Sequence, residues 1–292
     1  MMRAVMRLVS AGAVAGLLAA GMVAAAPGVP AARAAAAPVG VQSHWAELAN
    51  AVTGANLWSR SSVIKRPMGS ITKVMTAYVV IKAGGLNRVI TVPKGIVAYD
   101  KTYDASTAGL VPGEKLTALQ LLYAMMLPSG CDAAYTLAYA YGGSRAGFLA
   151  RMNAAAGKLG LSKTHFSDFS GLPDPGQYTT YSTARDLIGL GRDAMKLPLL
   201  AKIVATRSYS VAAGSGHRAH TWKNGNLLLT RYPGAIGIKP GFTAAAGQCL
   251  LFEARRGTKT LIGVVLHSSS SITDPSAAVN DAIRMLNFGF SG

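Results

Sequence analysis

Two short alternating runs, Trp45–Asn50 and Ala55–Arg60, flank a Val52-Thr53-Gly54 turn and predict a β-hairpin near the start of the chain. From Ile71 the apolar residues change period. Ile71, Val74, Met75, Tyr78 and Val79 fall at i, i+3, i+4, i+7 and i+8, the stripe of a packed helix, and Val80 and Ile81 carry apolar surface round to its other sides. That helix is therefore buried, and Gly84-Gly85 stops it. Residues 87–113 read as short strands and loops, Arg88–Val92 being the clearest strand. Thr117 with Gln120 forms a capping box, and Leu116 with Leu121 a hydrophobic staple, at the head of a helix that ends at Leu127-Pro128-Ser129-Gly130.

Helical spacing dominates from Asp132 to about Ala205, including a helix begun by Ser182 with Asp186 in its first turn. Strand patterns return from Tyr209 onward. The strongest are Ala235–Phe242, Gln248–Ala254 and Thr260–Leu266, the last two joined across Arg255-Arg256-Gly257. A final helix opens with Asp274 as N-cap and Pro275 at its first position. These elements predict an α/β fold of the α+β type: residues 41–100 and 206–292 form a sheet lobe from the two ends of the chain, and 101–205 form an inserted, mostly helical lobe.

The extreme N-terminus stands apart. Arg3 and Arg7 precede an almost unbroken apolar run, Leu8–Ala26, and a small-residue tract through Ala37, the anatomy of a secretory signal peptide spanning residues 1–36. Uncleaved, the run is just long enough to anchor the protein in a membrane. The expected location is extracellular or at the cell envelope. About 255 residues remain, and a composition 50% hydrophobic supplies ample core and excludes disorder.

Charge narrows the partners. The chain carries a formal +17, and residues 1–36 hold Arg3, Arg7, Arg33 and no acid, so +14 remains without them. An exported cation of this size attracts anionic envelope polymers; no dense Lys/Arg run interleaved with aromatics supports nucleic acid. Cys131 and Cys249 are too few for a disulfide scaffold and read as free thiols.

The candidate chemistry sits at the first turn of the Ile71 helix. Ser70 and Lys73 are three residues apart and share a face. A serine hydroxyl is a weak nucleophile until a neighbouring base takes its proton, and a partly desolvated lysine is such a base. A second Ser-x-x-Lys, Ser62 to Lys65, lies before Pro67 with no helical pattern around it and reads as chance. Taken alone, Ser70 also reads as a helix cap, Ser129 as another cap and Lys239 as a solvated strand lysine.

In chain order, Ser70-Ile71-Thr72-Lys73, Ser129-Gly130-Cys131 and Lys239-Pro240-Gly241 resemble the Ser-x-x-Lys, Ser-x-Asn and Lys-Thr-Gly triplet of the penicillin-binding proteins and serine β-lactamases. With Pro112-Gly113-Glu114, Thr164-His165-Phe166, Gly171-Leu172, Ser182–Leu187 and Arg231–Gly234, the resemblance is closest to the serine-type D-Ala-D-Ala carboxypeptidases of the β-lactamase/transpeptidase-like superfamily. It implies a five-stranded antiparallel sheet flanked by helices. It also implies an exported hydrolase without metal or cofactor, acting on peptidoglycan stem peptides that end in D-Ala-D-Ala and acylated by β-lactams.

Carried over, the resemblance makes Ser70 the acylated nucleophile, Lys73 its proton acceptor and Ser129 a relay to the leaving D-alanine. Lys239 supplies positive charge and holds Lys73 partly deprotonated; the N–H groups of Ser70 and Phe242 form the oxyanion hole. Cys131, Pro240, Gly241 and Thr243 complete the substrate-binding set, and His165 (buried and hydrogen-bonded) and Arg185 (on a helix surface) are structural. Two departures weaken the pattern: Cys131 stands for an asparagine, losing an amide, and Pro240 for a threonine, losing a hydroxyl. The alternatives are a D,D-endopeptidase, a β-lactamase, or a wall-binding homologue that has lost chemistry. Against the β-lactamase, the only glutamate after Ser129 is Glu253.

Overall fold

The computed structural model describes residues 37–291; the expected signal peptide lies outside the described residues. Strands β1 (Trp45–Asn50) and β2 (Asn56–Arg60) form the predicted hairpin, and α1 (Lys73–Ala83) follows with Val74, Met75 and Val80 wholly buried, as is Ile71 just before it. Each such side chain contributes roughly 1.5–3 kcal/mol of transfer free energy. Next come β3 (Val89–Thr91) and α2 (Gly95–Tyr103). This helix falls where only strands and loops were expected, because just Ile96 and Tyr99 of its nine residues are buried and no stripe marks it.

Strand β4 (Lys115–Thr117) leads into α3 (Ala118–Met126), whose capping box forms in both directions: Gln120 N–H donates to Thr117 Oγ1 and Thr117 N–H to Gln120 Oε1. Helices α4 (Cys131–Gly142), α5 (Arg145–Lys158), α6 (Ala184–Met195) and α7 (Pro198–Ala205) make up the helical region. The cap of α6 is Thr183, not Ser182: Thr183 Oγ1 accepts Asp186 N–H, while the Ser182 backbone bridges to Arg66. Two adjacent hydroxyl residues fit the cap position equally in sequence, and the bridge decides between them.

A small hairpin, β5 (Ser208–Val211) and β6 (His220–Lys223), and the short α8 (Leu228–Arg231) precede β7 (Ala235–Gly241), β8 (Cys249–Arg256) and β9 (Lys259–Leu266). The final helix, α9, runs Ser276–Ser291 and so begins just after Pro275 rather than at it. Five strands form one antiparallel sheet in the order β2-β1-β9-β8-β7, built from the two ends of the described chain.

Alternation along β8 assigns the two faces of that sheet. Leu250, Phe252 and Ala254 pack with Met285 and Leu286 of α9, whereas Cys249 and Leu251 join the larger core with α1 and α6. Helix α1 is thereby enclosed between sheet and helices, with its first residue, Lys73, fully buried. His165 departs from expectation: it is exposed, and its backbone, not its ring, bridges Tyr181. Arg185 lies on the surface as expected and pairs with Glu47 at 3.5 Å.

Candidate active site

Ser70 lies on a 3-10 turn, Gly69–Thr72, that runs directly into α1, a tighter entry than the helical turn the spacing predicts. Residues three apart eclipse in 3-10 geometry, which brings the Lys73 and Ser70 side chains together. Lys73 Nζ lies 2.9 Å from Ser70 Oγ. The turn is pressed onto the end of β7: a Cβ on Gly69 (φ +52°) would lie 2.8 Å from Phe242 N, and one on Gly241 would lie 2.6 Å from Met68 O. Only glycine fits at either point.

With no exposed surface, Lys73 must satisfy its donors inside the protein. It donates to Ser70 Oγ, to Ser170 O at 3.1 Å and to Cys131 Sγ at 3.2 Å. As an ammonium it uses all three hydrogens this way. As an amine it keeps two N–H groups for Ser170 O and Cys131 Sγ, and its lone pair faces the Ser70 hydroxyl. The arrangement therefore accepts a proton from Ser70 with no side chain moving.

Lys239 on β7 is 1% exposed rather than solvated, and Nζ donates to Pro240 O at 3.2 Å. Burial, then the charge of Lys73, hold its pKa well below the ordinary lysine value of 10.5, partly offset by Cys131. The stability consequence follows in sign. Between the depressed folded pKa and 10.5 the unfolded chain binds a proton that the folded chain does not, so stability rises with pH across that window. Lys239→Met removes the buried amine and with it the window, so it should flatten the rise of stability with pH and lower activity. Calorimetry over a pH series checks this; a rise in thermal midpoint as steep as the parent's would show that Lys239 is not its source.

Ser129 sits between α3 and α4 at φ +67°, the left-handed region that costs a non-glycine residue energy. It caps nothing, since the residue before α4 is Gly130 and no side chain caps that helix. Ser129 O accepts Ser106 Oγ at 2.9 Å, leaving its own hydroxyl to the cavity. Behind it, Asp132 accepts N–H groups of Ala108, Leu110 and Ala133, which pins segment 106–110 against α4. Burial raises the Asp132 pKa despite these donors. Cys131 and Cys249 are both free and buried, and burial pushes the Cys249 thiol up to about 12.

Strand β7 is an edge of the sheet, the position that tolerates Pro240. N–H and C=O of one residue point to the same side of a strand, and Pro240 O faces Lys239 Nζ in the cavity. The missing N–H of Pro240 therefore faces the cavity as well, and no bond to β8 is lost. Phe242 lies past the end of β7, and its N–H has no backbone acceptor among the described residues. Thr243 Oγ1 accepts Ala246 N–H, so its own proton is free to donate.

Ser70, Ser129, Lys239, Pro240, Gly241, Phe242 and Thr243 all line one cavity of about 540 Å3. Cys131 lies beneath it, in contact with Lys73. Sequence reasoning did not single out Tyr103, Asp104 and Ser106, at and just after the end of the unpredicted α2, nor Gln248 and Ile272, which also line the cavity. It also missed Ser170, which acts through its carbonyl. Glu253 is absent from the lining; it lies on β8 opposite Gly237 and Ile262, and burial raises its pKa to about 7. Among the described residues, no group of three or more His, Cys, Asp or Glu is placed to hold a metal.

Comparison with known proteins gives the same answer from an independent direction. The chain is 40% identical to the D-alanyl-D-alanine carboxypeptidase of Streptomyces sp. strain K15 over 99% of its own length and 98% of that protein's. It is 35% identical to D-alanyl-D-alanine carboxypeptidase DacB2 of Mycobacterium tuberculosis, covering 84% of this chain and 82% of the relative. Its fold matches the crystal structure of the Streptomyces K15 DD-transpeptidase with a TM-score of 0.80 at 40% identity, covering 86% of this chain and 98% of that one. The sequence profile of one family matches residues 31–270, and by these measures the chain belongs to the D-alanyl-D-alanine carboxypeptidases, serine peptidases of the penicillin-binding fold.

Proposed function

We propose that Ser70 cleaves the terminal D-Ala-D-Ala bond of peptidoglycan stem peptides with Lys73 as its base. The observation that carries this reading is the buried Lys73 Nζ at 2.9 Å from Ser70 Oγ, Ser70 itself lining a cavity that also holds Lys239. Ser70 Oγ attacks the carbonyl carbon of the penultimate D-alanine as its proton passes to the Lys73 amine. The N–H groups of Ser70 and Phe242 receive the developing oxyanion. The C–N bond then breaks, the leaving D-alanine takes a proton relayed from Lys73 through Ser129, and water hydrolyses the ester that remains. Lys239 and the free Thr243 hydroxyl hold the substrate's terminal carboxylate, Thr243 covering for the hydroxyl that Pro240 lacks.

No glutamate lines the cavity among the described residues, so the group by which a β-lactamase speeds the attack of water is missing and the acyl-enzyme should turn over slowly. A fluorescent penicillin should therefore form a one-to-one adduct visible by intact mass and released slowly, and a D-Ala-D-Ala peptide should yield free D-alanine. Fast turnover of penicillin would indicate a β-lactamase, and no adduct with no D-alanine a binding homologue. The same reading places the protein outside the membrane, tested by finding a secreted form that begins near residue 37. The +14 charge beyond residue 36 supports attraction to anionic wall polymers, tested by salt-dependent sedimentation with purified wall.

A further inference from the structure

Of the three acceptors around Lys73 Nζ, Ser70 Oγ and Cys131 Sγ stand on regular structure: the 3-10 turn and the first residue of α4. The third, Ser170 O, is on a long irregular segment between α5 and α6. It is also the acceptor that matters most once the reaction starts. A thiol accepts weakly, and Ser70 Oγ turns to the substrate, so Ser170 O is the one strong acceptor left to orient the lysine. A loop carbonyl keeps that position only if its own loop is held.

Asp168 holds it. The side chain has no exposed surface, and its two oxygens take five donors. Oδ1 accepts Ser170 N–H (2.8 Å), Ser170 Oγ–H (2.8 Å), Gly171 N–H (2.6 Å) and Leu172 N–H (3.0 Å), and Oδ2 accepts the Tyr99 hydroxyl (2.7 Å). Three successive backbone N–H groups converging on one carboxylate fix the peptide planes of residues 170–172, and with them the direction of the Ser170 carbonyl. The loop is tied to α1 one turn beyond Lys73, where Thr76 Oγ1 donates to Phe169 O at 2.6 Å. A Cβ on Gly171 would lie within 1.9 Å of Gly69 O, so the same loop touches the nucleophile's turn. Leu172 continues from it into the cavity wall.

We propose that Asp168, which contacts neither cavity nor substrate, is the positioning residue of the catalytic lysine, acting through the Ser170 carbonyl. The inference rests on Lys73 being the base.

The near-isosteric Asp168→Asn should fold, because every partner of Asp168 keeps a bond: Oδ1 accepts the same four donors, one Nδ2 hydrogen goes to Tyr99 OH, and Tyr99 OH donates to Ser170 Oγ, 2.7 Å away, so that only the second Nδ2 hydrogen lacks an acceptor. Weaker neutral acceptance loosens the carbonyl, so kcat for D-alanine release and the rate of penicillin acylation should fall about tenfold. Asp168→Ala, which frees the loop, should cost about a hundredfold, the penalty for misplacing a catalytic group by an ångström or so. In Asp168→Asn, KM should stay within about twofold, since Leu172 keeps its bond and its place in the cavity wall. Tyr99→Phe removes the Oδ2 donor and the contact of its hydroxyl with Ser170 Oγ but none of the three backbone bonds to Oδ1, and should cost less than Asp168→Asn.

A folded Asp168→Asn with parental kcat, or a loss confined to KM, would overturn the proposal, and this variant carries the test if Asp168→Ala does not fold. Lys73→Ala in the same assay separates the two readings. If it still acylates at the parental rate, the base assignment is wrong; if it is inactive while both Asp168 variants are unimpaired, only the positioning role fails.

Discussion

Ser70→Ala should abolish penicillin labelling and reduce D-alanine release by on the order of a millionfold, the scale on which losing a serine nucleophile is felt, while Ser62→Ala changes neither. Both serines begin a Ser-x-x-Lys, and the structure separates them by what surrounds each lysine. Lys65 is exposed and lies over the Tyr181 ring at 4.7 Å, so Ser62 has no base beside it. Lys73 is buried with Nζ against Ser70 Oγ, and Ser70 alone of the two serines lines the cavity. Intact mass after incubation with a fluorescent penicillin reads the outcome directly. Labelling that persists in Ser70→Ala and disappears in Ser62→Ala would reverse the assignment.

Why the sheet was legible and the cavity only partly so comes down to where each signal is stored. Strands β8 and β9 announce themselves because one period-2 pattern serves both cores, Leu251 facing one and Leu250 the other. Helix α3 was legible to the residue because Thr117 and Gln120 are local and reciprocal. Helix α2 was not, since it buries only Ile96 and Tyr99. Its loss hid Tyr103, Asp104 and Ser106, which form one wall of the cavity.

The catalytic side chains were legible because their type and spacing carry the chemistry. Their supports were not. Ser170 contributes a carbonyl, which every residue has, and Asp168 acts through backbone N–H groups that no motif records. The left-handed backbone of Ser129 is likewise a product of the α3–α4 junction. Cys131 reads as a defect beside the expected asparagine, yet its thiol is one of the three acceptors that fill the shell of Lys73.

Lys73→Ala should slow acylation by about 10²–10⁴, the usual contribution of a general base, and leave the chain folded. Folding survives because what the lysine leaves behind can be satisfied otherwise. Ser70 faces the cavity, where water reaches it, and Ser170 Oγ and N–H remain bound to Asp168. The side chain also leaves space in which water can bridge Ser170 O. A second consequence distinguishes loss of a base from general damage. Lys239 is depressed first by burial and then by the positive charge of Lys73. Removing that charge removes the second cause and leaves the first, so the Lys239 pKa should move up, part of the way back toward 10.5. The window in which stability rises with pH then narrows from its lower edge, and the alkaline gain in thermal midpoint should be smaller than in the parent. Acylation and the pH series are measured on the same preparation. Parental acylation in Lys73→Ala would remove the lysine from the mechanism, and an unchanged pH series would show that the two buried amines do not share one electrostatic site.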